Sequence, residues 1–230
     1  MPWVRLAAIE RGGTLTEQVT ARLRAALTGG TFAPGEKITI RSVAKALGVS
    51  PTPAREALNI LAAEGVLDSA ANRSMIVPRL SLDRLAEIMR IRIALECLAA
   101  EIAVERAKLT EIHAIVAANA RLKQATLAKD FKAAIYANRQ FHFGIYEAAR
   151  MPTLLRMIEA LWLRTGAYVN LIYPGFGLAG KGIENHDRAA RALGERDAGA
   201  LRAAIEYDIR YSAQHIEDAL GAKQPPALRA

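Results

Sequence analysis

Residues 46–58 read ALGVSPTPAREAL and decide the fold of the first third of the chain. A short helical pattern ends at Gly48, and only the three residues 48–50 separate it from a second one. Ser50 is a good N-cap for that second helix, with Pro51 and Pro53 in its first turn. Proline is tolerated there because the first N–H groups of a helix have no partner within it. Two helices joined by a short turn that contains glycine predict a helix-turn-helix.

The flanking sequence extends this motif on both sides. A capping box of Thr14 and Glu17 starts an earlier helix with periodic apolar residues, which stops at Gly29 and Gly30. The helix before the turn is predicted over about 39–47. After it, two short strands at 66–68 and 75–77 surround the polar turn 71–74. Together these elements predict a winged helix-turn-helix domain over residues 1–78.

The first turn of the helix after Ser50 is predicted to project from the surface. Arginine can donate two hydrogen bonds to guanine edges or to phosphate, and hydroxyl groups can bond to backbone oxygens. The alternative is that Arg41 and Arg55 are ordinary solvated residues of a helix. That interpretation is the better one for either arginine alone, but not for both together in a helix-turn-helix. The candidate DNA contacts are Arg41, Ser50, Thr52 and Arg55.

Charge and composition narrow the class of protein. The net charge is +8, and the first 80 residues hold ten Lys and Arg against six Asp and Glu, so contact with a polyanion is expected there. The single cysteine, Cys97, excludes an intrachain disulfide and a cysteine-based metal cluster. No apolar run is long enough to cross a bilayer and no signal-peptide core is present, so we expect a cytoplasmic protein with no membrane partner.

From Ser81 onward the sequence changes to long, Ala-rich helical patterns without a convincing strand. The predicted class is therefore mainly α, with an all-helical bundle over 79–222 and a flexible tail over 223–230. The Gly-rich stretch 173–182 is expected to be a mobile connection. The predicted helices are 82–107, 110–127, 130–149, 152–172, 183–194 and 197–220.

Two features of this second part indicate chemistry. Asn138 and His142 are four residues apart and so leave one helix on the same face, where imidazole and oxygen donors suit Zn, Ni, Mn or Fe. Arg92 lies on a largely apolar helix, so it either pairs with Glu96 one turn on or holds an anionic ligand. A lone histidine on a helix is more often structural, and we assign that role to His113 and His215.

The first part resembles the N-terminal domain of the GntR family of bacterial transcription regulators. The similarity rests on residues 33–38 (APGEKI), 46–58 and 61–67 (LAAEGVL), in the order and spacing of that family. It implies that Arg41, Ser50, Thr52, Arg55 and the wing turn, with Arg73 and Ser74, contact DNA. Two positions depart from the family pattern. Pro51 stands where Arg is usual, which removes a groove contact, and Ser74 stands where Gly is usual.

The second part resembles the all-helical effector domain, called FCD, of the FadR-type branch. This resemblance implies that residues 79–222 form a domain for ligand binding and dimerisation. The similarity rests on residues 92–96 (RIALE), 138–142 (NRQFH) and 184–186 (ENH), followed by Asp197 and Asp208. Many members of this branch hold a metal with one Asp and three His. Matching the motifs position by position puts Asn138 in the place of that Asp and Asp208 in the place of one His, beside His142 and His186. Two histidines and one carboxylate would remain for a divalent ion, and Arg92 would lie in or next to a pocket for a small carboxylate.

These features predict a ligand-responsive, DNA-binding transcription regulator. Repression is the commoner mode in the family, and a homodimer would place two reading helices on the half-sites of a near-palindromic operator. A small organic acid would then weaken operator binding. Two alternatives remain. Two His and one carboxylate also describe the site of metal-dependent oxygenases, and a basic chain could package nucleic acid without sequence preference.

Overall fold

The computed structural model describes residues 13–70, 74–172 and 181–221. The chain divides into two compact units. Of the described residues, the first unit holds those up to Leu80 together with Trp162–Asn170, and the second holds Ser81–Leu161 and those from Leu171 to Gly221. Among the described residues, no helix is both long and apolar enough to cross a membrane.

The first unit is a winged helix-turn-helix, as predicted. Its strands form a small antiparallel sheet in the order β1-β3-β2, in which Met75 lies opposite both Ile38 and Ser69. The elements in chain order are α1 (Leu15–Thr28), β1 (Lys37–Thr39), α2 (Ile40–Leu47), α3 (Pro51–Ala63), β2 (Asp68–Ala70) and β3 (Ser74–Ile76).

Local sequence signals account for the helix boundaries of this unit. The Thr14 hydroxyl accepts from the backbone N–H of Glu17, which completes the predicted capping box of α1. Gly48 ends α2 in the left-handed region, at φ 67°, where glycine is favoured because it has no Cβ. The chain can therefore reverse sharply and begin α3 at Pro51.

The strands differ from the prediction. Val66 and Leu67 were expected in the first wing strand, but both donate backbone N–H groups to the Leu61 carbonyl and are buried behind the end of α3. Pairing therefore begins at Asp68. Strand β1 was not predicted, because its three residues become a strand only through pairing with β3, which is distant in sequence.

The second unit contains only helices among its described residues. These are α4 (Leu82–Arg106), α5 (Leu109–Leu127), α6 (Phe131–Ala148), α7 (Pro152–Ile172), α8 (Lys181–Glu195) and α9 (Ala198–Gly221), with α7 passing into the first unit after Leu161.

All six predicted helices are confirmed to within two residues at each end. The helix α5 begins at Leu109, and Glu111 accepts from the backbone N–H of the preceding Lys108. Cys97 is buried. The predicted mobile connection lies mostly outside the described residues, at 173–180, as does the tail beyond Gly221.

Candidate functional site

The N-terminal turn of α3 forms an exposed polar tip on a buried base. Ala54, Leu58 and Leu61 are fully buried and fix the inner face of the helix. The Ser50 side chain caps α3 without a hydrogen bond to it, so its hydroxyl is available to other partners. All four predicted DNA contacts of the helix-turn-helix are exposed: Arg41, Ser50, Thr52 and Arg55.

The wing differs from the prediction in one position. Ser74 is the first residue of β3, opposite Thr39 and Ala70, and is only 2% exposed. A side chain buried to that extent offers DNA no contact, so the structure does not support the predicted role of Ser74. Arg73 and the rest of the turn lie outside the described residues.

Three of the four predicted metal ligands meet in the interior of the second unit. His142 from α6, His186 from α8 and Asp208 from α9 each offer a ligand atom, and these atoms all lie within 4.8 Å of one another. Asp208 is central, because its two oxygens lie 3.2 Å from His142 Nε2 and 3.3 Å from His186 Nε2. Both histidines are buried and Asp208 is nearly so. We call these three residues the His–Asp cluster.

A buried series of hydrogen-bonded polar groups contacts the His–Asp cluster at His142. Arg92 Nε donates to Glu96 Oε1 at 2.6 Å, and Tyr146 Oη donates to Glu96 Oε2 at 2.5 Å. Tyr146 Oη in turn lies 3.3 Å from His142 Nδ1. Of the two alternatives for Arg92, the structure therefore shows the ion pair with Glu96. This series of polar contacts leads from Arg92 and Glu96 of α4 through Tyr146 of α6 to His142 in the cluster.

The direction of these hydrogen bonds determines how the His142 ring is oriented towards Asp208. The only proton of Tyr146 Oη is donated to Glu96, so at His142 Nδ1 the tyrosine oxygen can only accept. His142 therefore carries a proton on Nδ1, and its other ring nitrogen, Nε2, faces Asp208 Oδ2 from 3.2 Å.

The distances fit a divalent ion. Two ligands bonded to an ion at about 2.0–2.2 Å lie about 2.8–3.1 Å apart in octahedral geometry and about 3.3–3.6 Å apart in tetrahedral geometry. The two nitrogen-to-oxygen distances of 3.2 and 3.3 Å lie within the span of these two ranges. Phe141 stacks on His186 with ring centroids 4.4 Å apart, which fixes the plane of that imidazole. His186 Nδ1 is buried, and within the described part of the chain no group forms a hydrogen bond with it.

The electrostatics of the cluster favour the protonation states that bind metals. Burial raises the pKa of Asp208, but hydrogen bonds from His142 and His186 outweigh it and hold that pKa well below its usual range. Burial lowers the pKa of His186, and the opposing effect of Asp208 does not fully compensate. Near neutral pH, Asp208 is therefore a carboxylate and His186 a neutral imidazole, which is the form of each that coordinates a metal.

The remaining predicted residues lie at the margin of the cluster or outside it. Asn138 lies one turn before His142 in α6 and is half-buried. His113 is exposed, and His215 Nδ1 lies 2.8 Å from the Tyr211 carbonyl oxygen, so neither lies in the cluster. Sequence reasoning missed Tyr146, although its position four residues after His142 places both on one face of α6.

Comparisons with known proteins agree with both halves of the structure. Residues 15–77 match the model for the family described as "Bacterial regulatory proteins, gntR family", and residues 87–211 match the model for the FCD domain. The regulator McbR of Escherichia coli (strain K12) is 34% identical over 191 residues, which is 82% of this chain and 86% of McbR. A probable D-xylose utilization operon repressor of Paenarthrobacter nicotinovorans is 29% identical, with 64% of this chain and 65% of the repressor covered.

A solved structure of the E. coli protein superimposes closely. "E. coli McbR/YncC" gives a TM-score of 0.85 at 31% identity and covers 93% of this chain and all of that one. The relatives and the two family models describe regulators of transcription, not enzymes, so the metalloenzyme alternative finds no support. The chain belongs to the GntR family, as a DNA-binding transcription regulator with an N-terminal winged helix-turn-helix and a C-terminal FCD effector domain.

Proposed function

We propose that this regulator is a homodimeric repressor whose affinity for its operator is lowered by a small organic acid bound at a divalent ion in the His–Asp cluster. The observation that carries the proposal is the position of Asp208 between two buried histidine nitrogens, at 3.2 and 3.3 Å. Buried charged and imidazole groups that converge in this way are typical of a metal or ligand site.

The residues that would hold the ion are His142, His186 and Asp208. When bound, the ion would supply positive charge and coordination positions for a carboxylate, since three protein ligands leave an octahedral ion incomplete. Asn138, which replaces a carboxylate, is a weak neutral ligand at most. Arg92 supports the site through Glu96 and Tyr146, because its charge is already paired with Glu96 inside the protein.

In the first unit, the exposed tip of α3 would enter the major groove. Arg55 and Arg41 would read base edges or bind phosphates, while Ser50 and Thr52 would bond to the backbone. Pro51 cannot make the base contact that an arginine would make at its position. We place this activity in the cytoplasm, where bacterial DNA is found.

A second copy of the chain is proposed to pack on the outer face of α4. Ile91 and Leu98 are 40% and 41% exposed, with the half-buried Leu95 and Ile102 on the same face at helical spacing. A self-complementary apolar stripe suits a two-fold interface, and two-fold symmetry would match two reading helices to two half-sites.

Operator binding tests this proposal. A duplex selected by the wild-type protein from a random library would be titrated with full-length protein plus Zn²⁺ or Mn²⁺, in the presence of acetate, lactate, malonate or citrate. We expect at least one acid to weaken operator binding of the wild type by about 5- to 150-fold. The His186→Ala protein should bind the operator but not respond. An equal response of both proteins, or none by the wild type, would contradict the proposal.

A further inference from the structure

The second half of α7 belongs to the DNA-reading unit, although it is distant from that unit in sequence. Residues 162–170 cluster with the described chain up to Leu80, while the first half of the same helix belongs to the second unit. Five side chains of this half-helix are buried: Trp162, Leu163, Thr165, Ala167 and Tyr168. By sequence, this stretch lies inside the FCD match, which spans residues 87–211.

The first contact lies at the end of α1. Gly166 approaches that end so closely that a Cβ atom added to it would be 2.6 Å from the Leu27 carbonyl oxygen and 2.8 Å from Thr28 Cα. Both neighbours are backbone atoms, which cannot rotate away. Any side chain at Gly166 would therefore push the two helices apart.

The second contact lies at the end of α3, the helix that carries the polar tip. Arg164 donates to the Glu64 carbonyl oxygen at 3.1 Å, while the Glu64 carboxylate is paired with Arg24 of α1. The last carbonyl groups of a helix lack partners within it and carry partial negative charge, so a guanidinium there is stabilising. Gly65 leaves room for this contact, since a Cβ there would lie 2.5 Å from Arg164 Nη2.

The third contact lies after the wing. The Tyr168 hydroxyl accepts from the Leu80 backbone N–H at 2.6 Å and donates to the Pro78 carbonyl oxygen at 3.2 Å. Tyr168 is 1% exposed, so these bonds are made in the interior. One stretch of α7 thus holds the end of α1, the end of α3 and the segment that follows β3.

We infer that residues 162–170 complete the DNA-reading unit and set the orientation of α3, with Arg164 and Gly166 as positioning residues for operator recognition. The inference rests on the DNA-binding function and on no metal or effector. Recognition of base edges requires side chains within about 0.5 Å and 10–20° of the productive geometry. The bond of Arg164 at the end of α3 and the backbone contact of Gly166 with α1 restrict movement of α3 away from that geometry.

Full-length variants test the inference on the selected duplex and on a random duplex of equal length. Gly166→Ala introduces the backbone clash, and Gly194→Ala is the matched control, because a Cβ at that helical glycine meets nothing within 4 Å. We expect Gly166→Ala to weaken binding to the selected duplex at least about tenfold, which corresponds to about 1.4 kcal/mol. Binding to the random duplex, which depends on charge, should change less than twofold, and Gly194→Ala should match the wild type.

A second pair of variants separates positioning from folding. If Gly166→Ala unfolds and so binds neither the selected nor the random duplex, the variants Arg164→Ala and Arg164→Lys test the inference instead. Alanine removes the donor to Glu64, whereas lysine retains a donor and the charge, so the selected-to-random affinity ratio should fall with alanine and recover with lysine. Wild-type affinity ratios in both Gly166→Ala and Arg164→Ala would overturn the inference. A wild-type protein without preference for its selected duplex would instead contradict the DNA-binding function, and the inference with it.

Discussion

Single side chains in this protein act through hydrogen-bond direction as well as position. The donation from Tyr146 to Glu96 fixes Nδ1 of His142 towards the tyrosine oxygen, so that Nε2 faces Asp208. Glu96 also accepts from Arg92 in a buried ion pair. The motifs pointed to His142 and His186, because a family resemblance is visible in single residues. They could not identify the link through Tyr146, which exists only once α4 and α6 are packed together.

Tyr146→Phe tests this link. Removal of the hydroxyl leaves His142 Nδ1 without its acceptor and frees the ring to rotate, so we expect the affinity for Zn²⁺ to fall about 10- to 100-fold. Isothermal titration of the metal-free proteins measures the change. Tyr136→Phe is the control, since Tyr136 lies on the same helix and is 64% exposed. Equal affinities of Tyr146→Phe and the wild type would show that the tyrosine does not orient His142.

Arg55→Ala tests the polar tip of α3. The guanidinium is exposed on a helix whose inner face is fixed by buried residues, so its removal should leave the fold intact. We expect a loss of about 1–3 kcal/mol in affinity for the selected duplex, with weaker discrimination among bases. Lys132→Ala, which removes an exposed charge from the second unit, should bind as the wild type does. Unchanged affinity in an anisotropy titration of Arg55→Ala would exclude Arg55 from the contact.

Helices and strands of the chain differ in how far the sequence predicts them. The boundaries of α1 and α2 follow from a capping box and a left-handed glycine, which are local signals. The strands depend on partners distant in sequence, and β2 begins two residues later than predicted because Val66 and Leu67 bond back to Leu61. Local patterns therefore predicted the helices closely and the small sheet only in outline.

The exposed face of α4 gives a prediction at the scale of one element. Leu98→Glu places a charge in the centre of the apolar stripe, and a buried unpaired charge is costly, so the proposed dimer should dissociate. Sedimentation velocity of the full-length protein should show a shift from dimer to monomer at micromolar concentration. Leu127→Glu is the control, because Leu127 is 82% exposed at the end of α5. A dimer that persists in Leu98→Glu would rule out this face as the interface.

At the scale of the whole molecule, one chain combines a DNA-reading unit with a buried cluster of ionisable groups. The division at residue 80 was predictable from the change in pattern after Ser81. The assignment of residues 162–170 to the first unit was not, because the apolar pattern of a helix shows that one face is buried but not which neighbour buries it. The close contact between backbones at Gly166 is indicated in the sequence only by the glycine itself.

In the proposed function, operator binding and acid binding are reciprocally coupled. An acid that weakens operator binding by a given factor must itself bind more weakly to the operator complex by the same factor. The acid is proposed to bind through an ion in the His–Asp cluster, which is why the metal content of the protein is the most direct test of the account. Elemental analysis of full-length protein, purified without chelator and dialysed against metal-free buffer, should find about one divalent ion per chain in the wild type. It should find far less in His186→Ala, and equal metal content in the two proteins, or none in the wild type after loading with Zn²⁺ or Mn²⁺, would contradict the account.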